Sequence, residues 1–414
     1  MNAILTTEKL KDMKTADEAT RHPHFRSDVW PLATTLGLWA FASGLIQAFV
    51  LVAMRRLGAS FTEIGIVAAF YNLALALASF FGGSLTTRFG GKKIFITSMF
   101  LGLAAMLLYG TAALLATWAP IAMGLLLARI TQGFKDTSSF TIVSGSADGG
   151  KKATSFGVVY TFSFAGSVLA AAASGVVVFY YGYSVLFLST MPIMTAAILT
   201  ALFKLRKEDV TAKKSLPSWT EMKEAFASDK SIMFLLMIAV WEQFFAEFGN
   251  PYYFIYMQEN LKAPDYLLPL PQVAFAASSL ITGAVAGRLS DAVGRRKPFI
   301  VAAALLNGIG SGMVAFATSA YVMVGTYFIF GISNVLAFMC LQAYFSDVGG
   351  SKGHLIWGAY LALLWSGGIF PPFIAGVVAE QSSLQISFII VTAGMLAEAA
   401  MLLIFFKEKR ASPQ

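Results

Sequence analysis

Residues 287–297 read GRLSDAVGRRK, and residues 83–93 read GSLTTRFGGKK. Gly83, Leu85, Gly90, Lys92 and Lys93 fall on Gly287, Leu289, Gly294, Arg296 and Lys297. The two copies stand almost half of the 414-residue chain apart. The glycines let two helix backbones approach closely and let the chain turn with positive φ. The basic residues that follow are suited to a loop at a charged surface. One position separates the copies: Thr87 stands where the second carries Asp291. A polar turn that recurs at half length points to an internal duplication.

Working outward, the turn lies between long apolar runs. The chain is 57% hydrophobic and 13% charged, with a mean hydropathy of +0.69. Soluble domains carry about 25% charged residues, so this chain has too few charges to cover a water-facing surface. Its natural solvent is a bilayer. The net charge of +8 is spread in short clusters between apolar runs, which argues against a nucleic-acid-binding stripe. The single cysteine, Cys340, excludes a disulfide framework and a cysteine metal cluster. Met1–Asp28 is charged and has no apolar core of the kind a signal peptide needs.

Twelve runs are each about 20 residues or longer, the length that spans a bilayer. They are continuous rather than alternating, so they read as helices and not as barrel strands. The expected architecture is an all-α polytopic membrane protein: a tail (1–29), a six-helix bundle (30–204), a linker (205–230), a second six-helix bundle (231–406) and a tail (407–414). Placing the N-terminus in the cytoplasm puts nearly every Lys and Arg of the loops on that side, leaving Arg55, Arg56 and Lys262 on the other. Both termini are therefore expected to be cytoplasmic in a plasma (inner) membrane. A second echo supports the duplication: ADGGKK at 147–152 and DVGGSK at 347–352. Two parallel six-helix halves with a solute site between them is a recurrent transporter plan.

These features together resemble the major facilitator superfamily. Gly287, Leu289, Asp291, Gly294, Arg295, Arg296 and Lys297 are similar to the family's turn between its second and third helices. Gly83, Leu85, Arg88, Gly90, Lys92 and Lys93 match it in the first half, with the departure at Thr87. LGASFTEIG (57–65) resembles the family's first outer loop, and RITQG (129–133) its fourth-helix pattern. The resemblance implies a cytoplasmic gate: Asp291 meeting the start of helix five near Lys152–Phe156, and Thr87 meeting helix eleven near Lys352–Leu355. Thr87 brings no charge, so the first latch is expected to be the weaker. The branch stays open. AGSVLAAAASG (165–175) has small residues but lacks the proline of the antiporter branch, and KLRKEDV stands where sugar porters carry a PESPR-like run.

Ionisable residues inside a membrane are costly, about 2.5–3.5 kcal/mol on insertion scales, and mark function by default. Helix four carries Arg129, Gln132, Lys135 and Asp136. Arg129 and Asp136 share a face, but about 10 Å of helical rise separates them, too far for a tight pair. Lys135, about 100° round, is expected to snorkel to lipid headgroups. In helix seven Glu242 and Glu247 point about 140° apart, so at most one faces a central cavity. Gln243 flanks them, and Gly249 with Pro251 predicts a break. Glu398 lies in helix twelve, which the family resemblance implies is peripheral, and is read as an interhelical or oligomer-packing contact. Asn72 and Asn334 are further cavity candidates. The coupling and substrate candidates are thus Arg129, Asp136, Glu242, Glu247, Gln132, Gln243, Asn72 and Asn334, and the gate candidates are Gly83, Thr87, Arg88, Gly90, Gly287, Asp291, Gly294, Arg295 and Arg296.

The functional expectation is a monomeric secondary active transporter that moves a small organic solute by alternating access with proton coupling. The alternatives are an uncoupled facilitator and a non-transporting sensor or assembly partner on the same fold. No nucleophile–base set, metal cluster or phosphate loop suggests an enzyme, and no cofactor is expected.

Overall fold

The computed structural model describes residues 28–146, 152–205, 230–349 and 353–408, and their regular structure is helical. Most of the tails, most of the 205–230 linker, most of the ADGGKK turn and half of the DVGGSK turn lie outside the described residues.

In the first half, α1 (Val29–Gln47) and α2 (Val50–Arg56) form one bent span, followed by α3 (Phe61–Phe89), α4 (Gly91–Leu115), α5 (Ala119–Ser146) and α6 (Lys152–Lys204). As one straight rod α6 would be about 80 Å long, far more than the roughly 30 Å of a bilayer core. Gly182 breaks it into two spans, at φ 76° and ψ −179°, a conformation open essentially to glycine alone. In the second half, α7 (Lys230–Gly249) passes through a 3-10 turn at Asn250–Tyr252 into α8 (Tyr253–Glu259). Pro251, which has no N–H to give, sits in that turn. Then follow α9 (Leu270–Val293), α10 (Lys297–Ala315), α11 (Ala320–Gly349), α12 (Gly353–Gly367), α13 (Pro371–Gln381) and α14 (Leu384–Phe405).

Nine stretches of the described residues are long and apolar enough to cross a membrane, the whole of Ser155–Lys204 counting as one. Helices α5 and α9 are not among them. The first carries Arg129, Lys135 and Asp136, and the side chains of the second from Gly287 to Asp291 lie outside the described residues. The helix long enough to be two spans, the polar α5 and the partly described α9 account for the difference from the twelve runs read in the sequence.

Glycines set the closest approaches. A Cβ on Gly166 would strike the Gly37 carbonyl, and one on Gly44 would strike Ala170, so α1 lies backbone to backbone on α6.

Three apolar cores hold the molecule together. One is built only from residues between Val29 and Leu205, including Leu36, Phe95 and Met194. A second is built only from residues between Ile232 and Phe406, including Leu236, Ile300 and Phe345. The third draws on both halves and joins Phe49, Ile64 and Phe187 to Tyr252, Ile255 and Phe388. The shared core lies at the end that carries the 57–60 and 260–268 turns, which we term the closed end. The two separate cores lie toward the opposite, basic end, which carries the turns at Gly90 and Gly294. In keeping with this, α3 packs extensively on α13 near the closed end and only sparsely on α12. At the basic end a Cβ on Gly83, Gly157 or Gly358 would meet nothing within 4 Å.

Candidate functional site

At the closed end the halves are tied by charge and backbone. Arg55 Nε donates to Glu259 Oε1 at 2.9 Å, and its Nη1 donates to the Ala59 carbonyl at 2.9 Å. Arg56 donates through Nη1 and Nη2 to the two oxygens of Asp265, at 2.9 and 2.6 Å. The Arg56 guanidinium also lies over the Tyr183 ring, 4.7 Å from its centroid. The 57–60 turn is held rigid by a reciprocal cap: Ser60 Oγ accepts from Glu63 N, and Ser60 N donates to Glu63 Oε2. The next free amide, Phe61 N, donates to Glu380 of α13 at 2.8 Å. The Tyr252 hydroxyl sits 2.8 Å from the Pro372 carbonyl and 3.1 Å from that of Phe61.

Deeper in the membrane a polar belt crosses between the halves. Asn72 of α3 donates from Nδ2 to Glu247 Oε2 at 3.0 Å and to the Gly368 carbonyl at 2.8 Å. The other oxygen of Glu247 accepts from Asn250 at 3.0 Å and from Gln243 at 3.3 Å. Glu247, Asn72 and Gln243 are all buried. Beside Asn72, the Tyr71 ring carries the Arg129 guanidinium 4.6 Å from its centroid. Arg129 also donates to Gln132 at 2.9 Å, one turn along its own helix. Five of the expected residues, Asn72, Arg129, Gln132, Gln243 and Glu247, therefore form one belt from α5 through α3 to α7.

The remaining candidates lie elsewhere. Glu242 turns into the second half, where it accepts from the Tyr360 hydroxyl at 3.4 Å and faces a small cavity shared with Glu398. Glu398 is not peripheral: it is 3% exposed. Lys135 does not snorkel. It is buried, with Nζ 4.0 Å from the centroid of the Trp39 ring and 2.5 Å from Asp136 Oδ1. The neighbouring carboxylate supplies its counter-charge, and the Trp39 ring face adds a cation–π attraction. Asp136 itself is 53% exposed on its side chain. Asn334 is exposed and joins neither the belt nor the cavity.

The model of the Major Facilitator Superfamily matches residues 32–257 and 236–414. The chain belongs to the Major Facilitator Superfamily. Solved superfamily structures share its fold. The nucleoside transporter NupG superimposes with a TM-score of 0.76 at 14% identity, covering 92% of this chain and 99% of that one. A POT family transporter in complex with 5-aminolevulinic acid gives 0.72 at 12% identity, covering 91% and 95%. The human organic anion transporter MFSD10 (TETRAN) gives 0.64 at 12% identity, covering 92% and 100%. Comparison with curated protein sequences finds no match. The protein is thus a multi-pass membrane protein of a transporter family and not an enzyme, and the family implies a small-molecule substrate.

Within the superfamily fold the two echoing turns have a visible mechanical job. Gly90 and Gly294 adopt φ of 90° and 65°, the positive values that favour glycine. Lys92 then donates to the carbonyls of Leu202 and Leu205 at the end of α6. Lys297 donates in the same way to Leu403 and Phe406 at the end of α14, at 2.9 and 2.5 Å. Each turn therefore caps the last helix of its own half, where unpaired carbonyls favour a cation. The backbone N–H groups of Arg296 and Lys297 donate to the Glu408 carboxylate, and Arg296 Nε lies 3.6 Å from Asp347. Arg88 lies over the Phe89 ring, and Arg295 is exposed. The side chains of Thr87 and Asp291, and the latch contacts expected of them, lie outside the described residues.

Sequence reasoning missed Arg55, Arg56, Glu259, Asp265 and Glu380. Arg55 and Arg56 stood out only as the basic residues on the wrong side of the charge asymmetry. That exception was the available signal: a pair of cations kept where topology disfavours them needs a local anionic partner.

Proposed function

We propose that this protein is a secondary active transporter that carries a small organic solute by alternating access, with proton coupling through intramembrane acids. The observation that carries this reading is the asymmetry of the halves: one shared core and a set of charge-paired contacts at one end, and two separate cores at the other. A carrier needs such an arrangement. Contacts that close one end must be weak enough to break when the other closes, and exposed ion pairs of about 0–1 kcal/mol meet that need.

On this reading the basic end faces the cytoplasm, by the distribution of Lys and Arg, and the conformation described is the inward-facing one. The polar belt lies where the solute would sit. Arg129 is the cation available to an anionic or zwitterionic solute, and Glu247 is the acid whose hydrogen bonds reach across the halves. Substrate binding would compete for Asn72, Gln243 and Arg129 and so would act directly on the clasp.

One observation favours the second reading, an uncoupled facilitator. Both oxygens of Glu247 already accept hydrogen bonds from amide side chains, which is also how a structural carboxylate is held. The test is flux in liposomes. Nucleosides, organic anions and 5-aminolevulinic acid, the ligands named for the structural relatives, form the first panel. Each is measured with and without an imposed pH gradient. Saturable uptake driven by the gradient supports proton coupling. Uptake indifferent to the gradient supports the facilitator, and no uptake of any solute that stabilises the purified protein overturns transport.

A further inference from the structure

The second half contains a polar chamber that the inter-half belt does not use. Five helices surround it. Glu242 enters from α7, Asn307 from α10, Ser333 from α11, Tyr360 from α12 and Glu398 from α14, with Leu, Ile and Ala side chains making up the rest of the wall. Its free space holds roughly one water molecule. The titratable groups that face it are Glu242, Glu398 and Tyr360. No Lys, Arg or His lines it among the described residues. The hydroxyl of Ser333 donates outward, to the Ala303 carbonyl at 2.8 Å, so its lone pairs are what it offers inward. The Tyr360 hydroxyl supplies the one described hydrogen bond to Glu242, a long one. Glu398 Oε2 is fully buried and meets no donor.

Two carboxyl groups around a water-sized space, walled by apolar side chains, cannot both be bare anions. A buried carboxylate needs a counter-charge or a proton, since removing an isolated ion from water costs far more than the fold can supply. Elsewhere among the described residues the buried ionisable groups have partners at hand: Lys135 has Asp136 and Trp39, and both oxygens of Glu247 accept from amide side chains. Here every inward-facing polar atom is an oxygen or an amide, the donor set of a small hard cation.

We propose that the Glu242–Glu398 chamber binds one small monovalent cation, a proton or a sodium ion, inside the second half and apart from the Asn72–Glu247 clasp. The cation ties α7, α12 and α14 together. Glu242 lies on the same helix as Glu247, about 7.5 Å lower by helical rise, so occupancy of the chamber bears on the position of the residue that clasps α3. This inference does not require the solute to move with protons. Its readout is binding, so flux without coupling would leave it standing.

The test uses the purified full-length protein. Its Tm is followed between about pH 5.5 and about pH 8.5 in sodium, potassium or choline chloride at one ionic strength. The wild type is set beside Glu398→Gln, Glu242→Gln and, as a comparison outside the chamber, Glu247→Gln. For a sodium ion, sodium alone raises Tm by several degrees, more at high pH where protons do not compete. For a proton, the three salts are equivalent and Tm falls as pH rises. The folded chamber then holds a proton that the unfolded, solvated glutamates have released, so the stability it contributes is lost upward in pH. In either case the response is reduced more in both chamber variants than in Glu247→Gln, whose carboxylate lies outside the chamber. A wild type whose Tm is indifferent to sodium and has the same pH slope as both chamber variants overturns the proposal. So does a response lost in Glu247→Gln and kept in the chamber variants.

Discussion

Arg56 grips both oxygens of Asp265 across the two halves of the molecule, at 2.9 and 2.6 Å. The side chains keep 44% and 26% of their exposure, so water competes for the pair. A double-mutant cycle on Arg56→Ala and Asp265→Ala is therefore expected to give a coupling of about 0.5–1 kcal/mol, measured by thermal unfolding at low salt and shrinking at high salt. A coupling of several kcal/mol would mean the closed end is locked rather than poised.

Packing, more than charge, is expected to set how firmly that end closes. A Cβ on Gly65 would collide with the Pro372 carbonyl and the Tyr252 hydroxyl, and one on Gly376 with the Phe61 carbonyl. Gly65→Ala should cost the closed arrangement about 1–3 kcal/mol, the usual range for overpacking. Spin labels at Thr62 and Ser382 would report it as a shift of the distance distribution to longer values. An unchanged distribution would show that the α3–α13 contact absorbs the added methyl locally and does not set the closure.

The clasp gives a split between two substitutions. Asn72→Ala removes the donor that reaches across the halves and leaves a buried Glu247 oxygen and the Gly368 carbonyl short of a partner, at about 1–3 kcal/mol for each unsatisfied group. Glu247→Gln keeps an acceptor for Asn72 but cannot carry a proton. Transport assays should therefore find Asn72→Ala impaired with any solute gradient. Glu247→Gln should lose only accumulation driven by a pH gradient while still exchanging solute. Equal loss in both variants would assign Glu247 a structural role alone.

An asymmetry is expected at the ion pair of α5. Lys135 is buried and Asp136 is half in solvent. Asp136→Ala strands a buried cation against Trp39, whereas Lys135→Met leaves an exposed carboxylate that water can serve. Asp136→Ala should lower Tm clearly more than Lys135→Met, by a margin on the order of 2 kcal/mol. The reverse order would mean that Lys135 matters mainly through its packing.

The membrane character, the helical runs and the internal duplication were legible in the sequence, because bilayer thickness and backbone satisfaction act on each segment locally. The break at Pro251 and the glycine turns at Gly90 and Gly294 were legible for the same reason. Helical geometry also required Glu242 and Glu247 to face different ways. Only the tertiary structure decided which way each faces: Glu247 reaches Asn72, 175 residues distant along the chain, and Glu242 turns into its own half. It also decided that Glu398 is buried, that Lys135 is enclosed, and that Arg55 and Arg56 close the end opposite the echoing turns. Each of these depends on a partner brought from a remote helix by the packing of whole bundles. A local pattern of residue types records what a segment must bury or solvate, but not which distant group will meet it.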